Sequence, residues 1–272
     1  MGDAVRARLP ARLEDPVLFV LKHLWAGLFG GILMLAIAVT TLIWQPDWGI
    51  ARYDALFVIA FLTQVLFAIF RLESREEAAA LVVFSLLGLG LEWFNTAQGH
   101  WIYPEEGYFA IGHVPLFVGF MYAAVGVCIL RMIRLFEMRF APFPMPVLGL
   151  TLAAVIYANF FLQHYWHDIR PALFVATVVL FWRTRIWFTP ARGRRWWMPM
   201  LASLFLSALG VWLAENLGTL TGTWLYDGQA QNEPVSLATL GSWYLFLCVA
   251  LMVALLVMPQ ATSSEALDRD AH

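Results

Sequence analysis

The chain has 272 residues, 61% of them hydrophobic and 13% charged, and a formal net charge of −2. Soluble domains carry about 25% charged residues, so this composition excludes a water-soluble globule, a disordered protein and a nucleic-acid binder. Apolar runs of 17 to 28 residues recur along the chain, and about 20 such residues cross the ~30 Å hydrocarbon layer of a bilayer. The expectation is an all-α, multi-pass membrane protein.

The chain opens with Arg6, Arg8 and Arg12 before an apolar run. That run extends to residue 44, too long for a signal peptide and with no small-residue cleavage site after it, so it reads as a retained first helix. Eight apolar runs follow one another at residues 17–44, 54–70, 78–95, 113–135, 143–163, 169–187, 197–220 and 236–258. The sixth is the weakest, because Arg183 and Arg185 leave a clean apolar core of only about 14 residues. It reads as a span or as a re-entrant segment. With eight spans and the N-terminus inside, 15 of the 17 Lys and Arg residues fall on the inner side, and only Arg52 and Arg170 fall outside. The positive-inside rule therefore favours eight spans with both termini cytoplasmic. Cys128 and Cys248 both lie in apolar runs and read as small buried hydrophobes.

Two segments share a pattern. Glu92 is followed by Gly99, Trp101 and Tyr103; Glu215 is followed by Gly222, Trp224 and Tyr226. Both fit E-x6-G-x-W-x-Y, at an offset of 123 residues. The same offset maps spans three and four onto seven and eight. This predicts two parallel four-helix repeats, residues 17–137 and 138–259, related by a pseudo-twofold along the membrane normal. A cytoplasmic segment, 1–16, precedes them, and a polar tail expected to be disordered, 260–272, follows.

Glu92 and Glu215 carry the candidate chemistry. An ionisable group in a membrane helix normally faces the bundle interior or a cavity, and apolar burial favours the neutral, proton-donating acid. A structural role, each carboxyl bonding loop backbone to hold the turn, is the competing reading. Asn95 shares the helical face of Glu92, and His100 and His113 flank the outer loop; with the two glutamates these form the candidate catalytic set. Trp101, Tyr103, Asn216, Trp224 and Tyr226 form the candidate substrate-binding set, or else a plain interfacial aromatic belt. No resident metal or other cofactor is expected; His164 and His167, three residues apart, are the only pair spaced to share one. Lys22 and His23 read as snorkelling or locally paired groups. Residues 192–197 read as a basic, aromatic inner loop facing lipid headgroups.

The segment from Glu92 through Trp101, Tyr103, Pro104, Glu105 and Glu106 to His113 resembles a family of uncharacterised bacterial integral membrane proteins, a domain of unknown function that includes the YoaT-like proteins. The same segment is similar to the heterodimer-type lycopene cyclases and the carotenoid hydratases, duplicated helical bundles that protonate a double bond. That similarity implies that Glu92 and Glu215 match the in-helix acids, and Pro104, Glu105 and Glu106 the acidic box. The box here follows Tyr103 directly, and the second copy offers only Asp227 in its place.

Three functions remain open from the sequence. One is an intramembrane enzyme acting by acid catalysis on an apolar lipid or isoprenoid substrate. Another is a transporter of a small solute or protons with its site between the repeats. The third is a structural membrane protein. The partners expected are membrane lipids, with no nucleic acid; the oligomeric state is left open.

Overall fold

In a computed structural model, which describes residues 11–191, 195–229 and 233–263, the chain is mostly helical. Arg6, Arg8, Arg192, Arg194, Arg269 and most of the polar tail lie outside the described residues. The first apolar run forms α1 (Ala11–Ala26) and α2 (Leu28–Ile43), bent by 65° at Gly27. A single 28-residue helix was the expectation; Gly27, with φ −86° and ψ 4°, leaves helical geometry and turns the chain. Next come α3 (Arg52–Ile69), α4 (Arg75–Ala97) and α5 (Phe117–Leu135). The second half contains α6 (Pro146–Leu162), α7 (Arg170–Phe181), α8 (Met200–Leu220) and α9 (Leu237–Val257).

Five of these helices, α3, α4, α5, α8 and α9, are long and apolar enough to cross a membrane, and the bent α1–α2 pair makes a sixth if it counts as one span. Helix α6 has 17 residues and α7 only 12, about 18 Å at 1.5 Å per residue for α7. The sixth run was expected to continue to residue 187. Instead the helix stops at Phe181, and Arg185–Phe188 becomes strand β5 of a three-stranded antiparallel sheet with β4 (Arg139–Ala141) and β6 (Trp196–Pro199). The alternation of side chains along a strand explains the switch. Phe140, Ile186, Met198 and Phe188 face the bundle interior, whereas Arg139, Arg185, Trp187 and Trp197 occupy the opposite face, where Arg185 lies over the Trp197 ring at 4.2 Å.

Local sequence sets the helix ends where a cap is available. Ser74 and Glu77 form a capping box at the start of α4: the Ser74 hydroxyl accepts from the Glu77 amide, and the Glu77 carboxylate from the Ser74 amide. Helices α4 and α5 then pack closely because two glycines admit aromatic rings: Gly88 sits against Tyr122, and Gly126 against Phe84. Helix α9 is the central element. Its residues from Leu245 to Met252 are all buried, as suits a helix surrounded by α5, α6 and α8. Near the β4–β5–β6 sheet, Lys22 donates to the Thr189 carbonyl at 2.9 Å and lies over the Phe136 ring. The short turn Pro259–Thr262 closes the described chain, with Ala261 buried.

Candidate functional site

Glu92 sits in the last two turns of α4, and the chain then reverses through Gly99, whose φ of +77° suits a residue without a side chain. The strand β1 (Trp101–Ile102) brings the loop back over the helix end. The result is a carboxylate held by three side-chain donors. The Trp101 indole Nε1 donates to Oε2 at 2.6 Å, the Tyr103 hydroxyl to Oε2 at 2.7 Å, and the Tyr122 hydroxyl, from α5, to Oε1 at 2.7 Å.

Glu215 on α8 repeats this arrangement. The chain reverses at Gly222 (φ +62°), and β7 (Leu225–Tyr226) returns. The Trp224 indole donates to Glu215 Oε2 at 3.1 Å and the Tyr226 hydroxyl at 2.7 Å. Trp243, from α9, neighbours this carboxylate and packs against the Tyr122 ring. In both segments the donors stand nine and eleven residues after the acid. Both glutamates are buried, at 5% and 8% exposure, and no cation is among the hydrogen-bond partners of either. Burial, with the neighbouring glutamate charge adding to it, pushes the Tyr103 and Tyr226 phenols well above their ordinary range. They therefore stay protonated and remain donors.

The two loops meet. Strands β1 and β7 pair antiparallel, Trp101 opposite Tyr226 and Ile102 opposite Leu225. The 123-residue offset relates Ile102 to Leu225, so equivalent positions face each other. The same offset relates His100 to Thr223 and Thr41 to His164. His100 Nε2 lies 2.8 Å from His164 Nδ1, while Arg52 Nη1 donates to both Thr41 (2.8 Å) and Thr223 (3.4 Å).

Both glutamates open onto one cavity of about 1400 Å³. At the end away from them its wall includes Phe19, His23, Phe140 and Phe188; midway come Ile129, Leu204 and Leu247; at the glutamate end it reaches His100, His164 and Asp168. Asn95 also lines it. Its amide donates to the Leu91 carbonyl, so its Oδ1 accepts from His164 Nε2 at 3.2 Å, and His164 Nδ1 in turn accepts from His100. Burial and the neighbouring His100 both lower the His164 pKa from its ordinary value.

Other expected residues are placed elsewhere. His113 is exposed in the turn between β2 (Ala110–Ile111) and β3 (Val114–Pro115), off the cavity wall. Asn216 ties down the loop that leads into α9: its Oδ1 accepts from the Val235 amide at 2.9 Å and its Nδ2 donates to the Trp212 carbonyl. His164 uses both ring nitrogens on Asn95 and His100, and His167 is exposed. Among the described residues no group of three or more metal-ligating side chains gathers. Glu105 of the acidic box pairs with Arg52 at 2.6 Å, beside Asp54, which accepts from the Tyr108 and Phe109 amides. The sequence reading missed Tyr122 and Trp243. They lie 30 and 28 residues beyond their glutamates, where no local spacing reports them.

The family described as protein of unknown function (DUF817) matches residues 15–251, and the chain belongs to that family. It is 36% identical over 228 residues to the uncharacterized protein YoaT of Bacillus subtilis (strain 168), an alignment spanning 83% of this chain and 85% of the relative. No solved structure matches the chain.

Proposed function

We propose that this DUF817 member is an intramembrane enzyme that moves a proton onto and off an apolar lipid or isoprenoid, with Glu92 and Glu215 as its acid and base. One observation carries the reading: two buried glutamates, 123 residues apart in sequence, share one long and mainly apolar cavity. A structural role for the pair fits less well, because loop backbone amides are not their partners and the space beside them is open.

In this reading one glutamate, in its neutral form, gives its proton to a carbon–carbon double bond. The positive charge appears on the neighbouring carbon, facing the rings of Trp101, Tyr122, Trp224 and Trp243. The second glutamate, ionised, removes a proton from an adjacent carbon, which yields an isomer; water adding to the cation instead, with loss of its own proton, yields a hydrate. The reaction needs no soluble cofactor.

The matching hydrogen bonds and the β1–β7 register support a duplicated chain, two four-helix units about a pseudo-twofold through Ile102 and Leu225. Eight membrane segments with both termini cytoplasmic fit the arginine bias, with α7 too short to cross without the β4–β5–β6 sheet at one end. The inner membrane of a bacterium is the setting this implies.

The test compares lipid extracts, by mass spectrometry, from cells making the wild type and the Glu92→Gln, Glu215→Gln variant. A species seen only with the wild type, isomeric with its precursor or heavier by one water, supports the enzyme. Identical extracts from equally well inserted proteins sink it. A second reading, transport, is favoured by the extent of the cavity, whose wall runs from Phe19 and His23 at one end to His164 and Asp168 at the other. Proton-coupled flux in proteoliposomes, lost in the same variant, would establish it.

A further inference from the structure

The cavity wall is uneven in charge. Glu92, Glu215 and Asp227 line it, and among the described residues its one arginine, Arg170, stands beside a further carboxylate, Asp168. Arg170 is already spent, paired with Asp168 at 2.8 Å. Trp101, which donates to Glu92, stands opposite Tyr226, which donates to Glu215, so the β1–β7 pair brings the two carboxylates to one end of the cavity.

Around them the wall is aromatic: Trp101, Tyr103, Tyr122, Trp224, Tyr226 and Trp243 all line the cavity. Aromatic rings carry a negative face that attracts cations, most strongly where water is excluded, and such cages recognise quaternary ammonium groups. Below this end the wall turns aliphatic, through Ile129, Leu204 and Leu247. The volume of about 1400 Å³ exceeds the ~300–1000 Å³ that suits a drug-sized ligand. It matches a molecule with a long chain.

We propose that the cavity is a binding site for an amphiphilic organic cation, with its ammonium head between Glu92 and Glu215 and its chain running toward Phe140. An anionic head of the same size meets carboxylates and ring faces, and is rejected. A neutral head gains the chain contacts without the charge. The inference goes beyond the catalytic reading and does not rest on it. It concerns the charge of the ligand the site holds, whether that ligand reacts or is carried.

The experiment uses the full chain in nanodiscs of zwitterionic phosphatidylcholine, titrated with dodecyltrimethylammonium, dodecanol and dodecyl sulfate. Tryptophan fluorescence and the thermal unfolding midpoint are read for each. Saturable binding of the ammonium alone, weakened at least about tenfold in Glu92→Gln or Glu215→Gln, is the expected result. An equal saturable response to all three chains overturns the proposal, as does ammonium binding unchanged in both variants. Should neither variant fold, the headgroup series on the wild type decides by itself: selectivity for the ammonium supports the site, and its absence refutes it. Ammonium binding without any lipid product removes the catalytic reading and leaves the site. A lipid product without ammonium selectivity does the reverse.

Discussion

Helix α4 buries two glutamates about four turns apart, and the protein treats them in opposite ways. Glu77, at the first turn, is fully buried and neutralised: Arg131 lies 3.0 Å away and Arg134 2.7 Å, with Arg131 itself at 1% exposure. Glu92, near the other end, has only indole and phenol donors and faces a cavity. The first is a closed ionic joint between α4 and α5. The second is a carboxylate supplied with hydrogen bonds and left without a counter-cation, which is the condition for meeting a positive charge or passing on a proton. The fold can neutralise a buried acid, and among the described residues no cation does so at Glu92 or Glu215, which is what sets the proposed site apart.

The comparison can be broken most sharply at Arg131. Arg131→Met leaves the Glu77 charge buried with one half-exposed partner, and should cost about 3–5 kcal/mol of stability. Adding Glu77→Gln to it should restore much of that loss, as measured by unfolding in detergent. Glu92→Gln should cost only about 1–2 kcal/mol, because an amide still accepts from its neutral donors, yet it should weaken ammonium binding at least about tenfold. A Glu92→Gln loss as large as that of Arg131→Met would mean that both acids are structural.

The two glycines on the α4–α5 seam separate packing from function. A Cβ at Gly126 would stand 2.1 Å from the Phe84 ring, and one at Gly88 2.2 Å from Tyr122 Cγ. Alanine at either should cost about 1–3 kcal/mol through overpacking. Only Gly88→Ala pushes on the tyrosine that holds Glu92, so only it should weaken ammonium binding. Equal effects on binding would dissolve the distinction.

Tyr122→Phe removes one of three donors from Glu92 and should lower stability by about 0.5–1.5 kcal/mol. The corresponding position in the other half is Leu245, which has no hydroxyl to give Glu215. The smallest expected effect is at His164. Its folded-state pKa lies below the ordinary 6.5, so the unfolded chain binds the proton more readily. Stability should hold above pH 6.5 and decline as the pH falls through that value, and His164→Gln should flatten the decline. A decline of the same size in the variant would assign it to other groups.

Legibility from sequence followed distance along the chain. The Glu–Trp–Tyr clusters were readable because a helix end and a tight turn fix where residues nine and eleven positions on will come. Tyr122 and Trp243 complete those clusters from the next helix, and nothing in the spacing of the chain announces them. Arg131 carries the same lesson, since its pairing with Glu77 spans 54 residues. His113 and Asn216 looked eligible because they are polar and near the outer loops; one faces away from the cavity, and the other spends its amide on holding a loop. The sixth apolar run looked like a span from hydropathy alone. Arg183 and Arg185 mark where it leaves helical structure, because β5 can alternate charged and apolar faces as a helix buried on all sides cannot.

By itself the sequence determined that the chain is a bundle of apolar helices, since charge content and run length decide whether a backbone must satisfy its own hydrogen bonds. It also determined the recurring Glu, Trp and Tyr positions, because each set lies within a single helix end and turn; that the indoles and phenols donate to the carboxylates is visible only in the structure. Only the tertiary structure decided that the two sets meet through β1 and β7 and open onto the same cavity. It alone decided that Glu77 is neutralised while Glu92 is not. Those outcomes depend on which helices pack together, and packing joins residues that the chain holds far apart.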